Sequence, residues 1–158
     1  MTPAALLDLA RARGLRIAAA ESCTGGMVMA ALTDIAGSSD VVDRGFVTYS
    51  NAAKIDMLGV SPDTLAAHGA VSEEVAAQMA AGALAHSAAD LAVSITGIAG
   101  PGGSEHKPEG RVCFGLAHAG KVQTETQEFG APGRAEVRRL ARDHALNMLA
   151  QAIEESAV

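Results

Sequence analysis

Residues 15–26 run Leu15-Arg16-Ile17-Ala18-Ala19-Ala20-Glu21-Ser22-Cys23-Thr24-Gly25-Gly26. The first six are short and largely apolar, with Ile17 inside them, which predicts a buried strand over 15–20. The next six are polar and end in two glycines, so the chain turns there. Met27 to Ile35 then predicts a helix that ends near Gly37. Strand, polar turn and helix in succession are the repeating unit of an α/β layer fold.

The same alternation continues outward. Upstream, Thr2-Pro3 is an N-cap with proline at the first helical position, Leu6, Leu7 and Leu9 follow, and Gly14 is the stop. Downstream, Val41 to Tyr49 predicts a strand, and Ser50-Asn51 opens a helix through Leu58 that stops at Gly59. A short helix follows Ser61-Pro62. Ser72 with Glu73-Glu74 starts another, its acids favourable in the first turn. Leu91 to Thr96 is a strand and Gly97 to Glu109 a Gly/Pro loop. Arg111–His118 and Val122–Phe129 bracket Ala119-Gly120-Lys121 as a hairpin. A last helix runs from Arg134 to Glu155, with Val137, Leu140, Ala141, Leu146 and Leu149 as its apolar stripe. The expected fold is α/β: one domain over 1–158, a three-layer α/β/α sandwich with helices on both faces of a mixed sheet.

Composition narrows the function. The chain has 158 residues, 49% of them hydrophobic and 19% charged, which is globular rather than disordered. The formal net charge of −6 repels phosphate backbones, so nucleic-acid binding by bulk charge is not expected. Aromatic residues are 3%, too few for a base-stacking surface. No apolar stretch approaches the ~20 residues of a membrane span. No cationic segment followed by an apolar core marks a signal peptide. Two cysteines, Cys23 and Cys113, make no disulfide scaffold and point to the reducing cytoplasm.

Three stretches carry chemistry. In Glu21–Gly26, a serine between strand and helix can attack a carbonyl whose oxygen rests on free helix N–H groups. The same residues also suit a Ser/Thr N-cap with glycine packing, and Cys23 is a rival nucleophile or a small buried residue. In Tyr49-Ser50-Asn51-Ala52-Ala53-Lys54, the lysine is a general base if burial lowers its pKa, and the tyrosine hydroxyl can relay a proton. The alternative there is a surface lysine and a strand-end tyrosine. In Ser94–Ser104, a strand runs into a glycine-dense loop whose N–H groups can wrap an anion. No Gly-Lys-Ser/Thr follows, so it is no Walker loop, and Pro101 breaks a dinucleotide fingerprint.

Arg134, Arg138, Arg139 and Arg142 form a basic patch at the start of the last helix, mostly a solvated face, with one arginine suited to a phosphate. His68, His86, His106, His118 and His144 show no metal-ligand spacing, and His68, His86 and His144 are expected on helix surfaces. No metal site is expected.

Six segments in this order resemble the CinA C-terminal domain family. They are AESCTGG at 20–26, VTYSNAAKIDMLGV at 47–60, GAVSEEVAAQMAAGA at 69–83, SITGIAGPGG at 94–103, KPEGRV at 107–112 and GRAEVRR at 133–139. The resemblance covers nearly the whole chain. It implies nicotinamide mononucleotide deamidase activity, hydrolysis of the carboxamide to nicotinate mononucleotide and ammonia without a cofactor. By that resemblance Ser22 is the nucleophile, Lys54 the general base, and Tyr49 assists proton transfer to the leaving ammonia. N–H groups around Ser22 to Gly26 form the oxyanion hole, with Thr24, Gly25 and Gly26 against the substrate. Thr96, Gly97 and Gly100 shape the pocket, and Arg134 anchors the substrate. Two segments depart from the family pattern. Gly102-Gly103-Ser104 is one residue short, and Phe129–Arg134 is one residue long with no acid before the arginine.

Two other classes stand beside this one: a non-catalytic nucleotide- or partner-binding module, and a cysteine amidase working through Cys23. The expected partner is a small pyridine nucleotide, with neither nucleic acid nor membrane. A homodimer or higher homo-oligomer is the expected assembly.

Overall fold

The structure, a computed structural model, describes residues 1–156; the last two positions of the expected domain lie outside them. Five strands form one mixed sheet in the order β2-β1-β3-β4-β5. Strands β1 (Ile17–Glu21), β2 (Val42–Val47) and β3 (Leu91–Gly97) are parallel, and β4 (Arg111–His118) and β5 (Lys121–Glu128) complete the sheet antiparallel.

Alternation along β1 decides which helices cover which face. Ile17 and Ala19 enter a core with α1 (Pro3–Ala12), α2 (Met27–Thr33) and α6 (Arg134–Glu155). Ala18 and Ala20 enter a second core with α3 (Asn51–Leu58) and α5 (Glu73–Ala85), beside which α4 (Pro62–His68) packs. The expected three layers are present. The second face is lined by small residues, so α5 sits close. A Cβ on Gly115 would lie 2.5 Å from the Ala76 carbonyl oxygen, and one on Gly82 would lie 2.0 Å from that of Leu58. Neither position has room for a side chain.

Helix starts follow the caps seen in the sequence. Thr2, Ser50 and Ser72 each accept an N–H bond, from Ala5, Ala53 and Val75. Helix α2 differs. Its N-cap is Gly26 at φ 106°, with no side chain to offer. The Glu21 carboxylate instead accepts the Val28 and Met29 N–H groups at 3.0 and 3.2 Å. Neither Ser22 nor Thr24 caps the helix, which corrects the capping alternative.

Two boundaries and one exposure also differ. Strand β2 ends at Val47 rather than Tyr49, because its one partner β1 ends at Glu21; the Thr48 N–H to the Glu21 carbonyl is the last bond. The hairpin turn is two residues, not three. Ala119 and Gly120 both have positive φ, 52° and 77°, and Lys121 already pairs with His118. His144 is not a bare surface residue: its ring packs 4.5 Å from that of Phe114 and bonds Glu125.

The topology locates a crevice. From β1 the chain steps to β2 on one side, then returns across β1 to β3 on the other. Loops leaving the carboxyl ends of β1 and β3 therefore diverge, and ligands of open α/β sheets bind at such a switch point. Ser22 follows β1, and the glycine loop follows β3.

Candidate active site

Ser22 extends the β1 ladder by one bond, its N–H donating to the Ile95 carbonyl at 3.0 Å. This fixes its backbone and leaves the hydroxyl free. Lys54 comes from the first turn of α3, which Ser50 caps, and lies 1% exposed. Its Nζ stands 3.0 Å from Ser22 Oγ, 2.9 Å from the Thr48 carbonyl oxygen and 3.2 Å from that of Tyr49. Those carbonyls are available because β2 has already ended.

The count of partners defines what the lysine can do. Two of its three neighbours are carbonyls, which only accept. A neutral amine gives them its two N–H bonds and turns its lone pair to the Ser22 hydroxyl. Burial lowers the Lys54 pKa from its ordinary value, opposed by nearby Cys23 and Glu105. The surface-lysine alternative is excluded by this burial.

Cys23 lies beside the pair, and burial pushes its thiol up to about 11. Only roughly one molecule in ten thousand carries the thiolate at pH 7 at that value. Its neighbourhood suits a packed thiol better than a nucleophile.

Between Ser22 and the glycine loop lies an open cleft of about 340 Å³. Of the candidate site residues singled out from the sequence, Ser22, Cys23, Tyr49, Gly97, Gly100 and Arg134 line it. Tyr49 is 64% exposed, and its hydroxyl accepts from Arg134 Nη2 at 3.1 Å. Its carbonyl, not its hydroxyl, touches Lys54. Arg134 also donates to the Gly100 carbonyl at 2.7 Å, so α6 and the glycine loop meet at the cleft. The lengthened segment before Arg134 thus still delivers the arginine there.

Four expected substrate contacts stand back from the cleft. Thr24 is fully buried and spends its hydroxyl on the Glu21 carboxylate at 2.6 Å. Thr96 is buried and donates to the Ala70 carbonyl at 2.8 Å. Gly25 and Gly26 form the entry to α2 at φ 58° and 106°, facing Arg138 and Val47. They shape the turn that carries Ser22 and do not line the cleft.

Two supporting residues were missed in the sequence. Glu21 caps α2 from the end of an otherwise apolar strand, and that isolated acid was the available signal. Arg138 belongs to the patch assigned to solvent, yet its guanidinium donates to the Cys23 and Thr24 carbonyls at 3.0 and 3.3 Å. Arg139 and Arg142 do pair on the surface, with Glu136 and Asp143. Among the described residues no group of three or more His, Cys, Asp or Glu could hold a metal ion, and no helix is long and apolar enough to cross a membrane.

The fold and this cleft define an α/β protein with a serine–lysine pair buried at the switch point of its sheet. The family model of the CinA C-terminal domain matches residues 2–153, and the chain belongs to that family. It is 55% identical over 142 residues to the nicotinamide-nucleotide amidohydrolase PncC of Escherichia coli, covering 89% of this chain and 86% of that one. It is 60% identical over 116 residues to a CinA-like protein of Chloroherpeton thalassium. That match covers 73% of this chain but 28% of the longer relative. The crystal structure of the competence/damage inducible protein CihA from Agrobacterium tumefaciens superposes with a TM-score of 0.88 at 49% identity. The match covers 98% of this chain and 99% of that one.

Proposed function

We propose that the chain is a nicotinamide-nucleotide amidohydrolase that converts nicotinamide mononucleotide to nicotinate mononucleotide and ammonia through a serine nucleophile. The observation that carries this is the buried Lys54 amine 3.0 Å from Ser22 Oγ at the floor of the cleft. The Escherichia coli relative, matched over most of both chains, supports the reaction class.

In this reading Lys54 takes the Ser22 proton as Oγ bonds to the carboxamide carbon. The carbonyl π electrons move onto oxygen. Ser22 N–H is committed to Ile95 and Gly25 N–H to the Ser22 carbonyl, so the oxyanion rests on the N–H of Cys23, which lines the cleft. Arg138 holds the Cys23 carbonyl and so fixes the turn that presents this N–H. The tetrahedral centre collapses, the C–N bond breaks and the nitrogen leaves protonated as ammonia. Tyr49 suits that delivery: Arg134 occupies a lone pair of its hydroxyl, leaving the O–H proton to point at the amine. As the amine departs, the proton that Lys54 took from Ser22 passes through solvent to Tyr49, which returns both groups to their starting forms; water, deprotonated by Lys54, then adds to the acyl ester, and Ser22 Oγ leaves with that proton.

Arg134 and the loop from Gly97 to Gly100 hold the nucleotide. The protein works as a homo-oligomer in the cytoplasm and needs no cofactor. The test is ammonia release from nicotinamide mononucleotide by the purified chain beside Ser22→Ala. Release that vanishes in the variant supports the reading; a folded chain with no release, or an unaffected variant, overturns it.

A further inference from the structure

The residues lining the cleft include one acid, Glu105, and one base, Arg134. Glu105 is held by an ordered turn. Ser104 and Lys107 exchange N–H bonds at 3.1 and 2.8 Å, closing a two-residue hairpin with Glu105 and His106 at its corners. Both corners have positive φ, 52° and 63°, where asparagine and glycine are favoured and a glutamate is strained. Lys107 pins the turn, its Nζ donating to the His68 and Val71 carbonyls at 2.6 Å each. Gly69 leaves room for the acid: a Cβ there would fall 2.2 Å from Glu105 Oε2. Among the described residues, none of the ion pairs involves Glu105.

A carboxylate placed in a strained, pinned turn at a cleft, with no cation at ion-pair distance and with the neighbouring Lys107 ammonium already committed to two carbonyls, is an available site for a cationic ligand group. Resting on the function proposed above, we propose that Glu105 is a specificity-determining residue that recognises the positive charge of a pyridinium ring. The cleft then selects a zwitterion, with the cationic ring toward Glu105 and the phosphate toward Arg134. A carboxamide on a neutral ring forfeits half of that recognition. Lys54, whose amine is held by carbonyls beneath Ser22, repels the cation least when it is neutral, the form the reaction uses.

The experiment compares wild type with Glu105→Gln, which keeps shape and removes charge. Calorimetry measures binding of nicotinamide mononucleotide and of benzamide riboside 5′-phosphate, its neutral-ring isostere, while ammonia release from the former is followed in parallel. The expected result is a roughly tenfold weaker affinity for the cationic ligand alone, with KM rising in step and kcat within about twofold. Equal weakening of both ligands, or of neither, overturns the assignment, while continued ammonia release leaves the amidohydrolase reading standing. A wild-type chain that neither binds nor hydrolyses the nucleotide removes both. Glu105→Asn is the second variant: it suits the positive φ, so a well-folded protein that still loses the discrimination separates charge recognition from turn structure.

Discussion

Glu21 and Ser22 are neighbours that serve opposite faces of the sheet. Glu21 turns its carboxylate under α2 and accepts from Thr24, Val28 and Met29, while Ser22 sends Oγ to Lys54 on the side of α3. The acid does the capping that a serine in this turn would ordinarily do, and the serine hydroxyl is left free. Replacing Glu21 with alanine strands two buried donors and one half-buried, which costs on the order of 3 kcal/mol. Urea melts should show that loss, with Glu21→Gln intermediate because its amide oxygen still accepts.

In the proposed reaction Lys54 sets the pH dependence. Its folded pKa is lowered by burial, so the base is present to the acid side of an ordinary lysine. Turnover is expected to rise with pH through that folded pKa. In the window between the folded and unfolded values the unfolded chain binds more protons, so stability also rises with pH there. Lys54→Arg keeps a cation but cannot give up its proton, and its ammonia release should fall at least 1,000-fold across the whole pH range. A Lys54→Arg variant with a normal profile would exclude the lysine as base.

Cys23 should be slow rather than catalytic. A thiol at about 11 instead of 9.0 carries roughly a hundredfold less thiolate at neutral pH. Alkylation of Cys23 by iodoacetamide, followed by mass spectrometry, should lag a free cysteine by about that factor. Cys23→Ala is expected to keep most of the turnover.

Gly82→Ala sets two effects against each other. Alanine gains about 1 kcal/mol of helix propensity over glycine in α5. Its Cβ would fall 2.0 Å from the backbone oxygen of Leu58, and relieving such an overlap costs typically 1–3 kcal/mol. The clash wins, since backbone cannot swing aside like a side chain. The melting temperature should drop by several degrees. Turnover should fall as well, because Leu58 ends the helix that carries Lys54.

Most of the fold was legible because it rests on local signals. The caps at Thr2, Ser50 and Ser72 and the whole of α6 lie where apolar spacing and capping chemistry put them. The serine, tyrosine, lysine and arginine that meet in the site were also singled out. Long-range bonds were not legible. Whether Thr24 and Thr96 face a ligand or the core depends on Glu21 and Ala70, and no spacing along the chain encodes those partners. Arg138 and Arg139 are adjacent and chemically identical, and the rotation of α6 alone sends one to the turn around Ser22 and the other to solvent.

The order of the strands has a kinetic consequence. Strand β1 sits between two partners that follow it, and its far one, β3, begins with a bond from Arg16 to Asp90, 74 positions along the chain. The β4–β5 hairpin closes over two residues and can form within microseconds. The ladder that holds Ser22 must await a distant encounter, so it belongs to the slow part of folding. A denatured chain returned to buffer should recover hairpin amide protection first, and the ability to acylate Ser22 last.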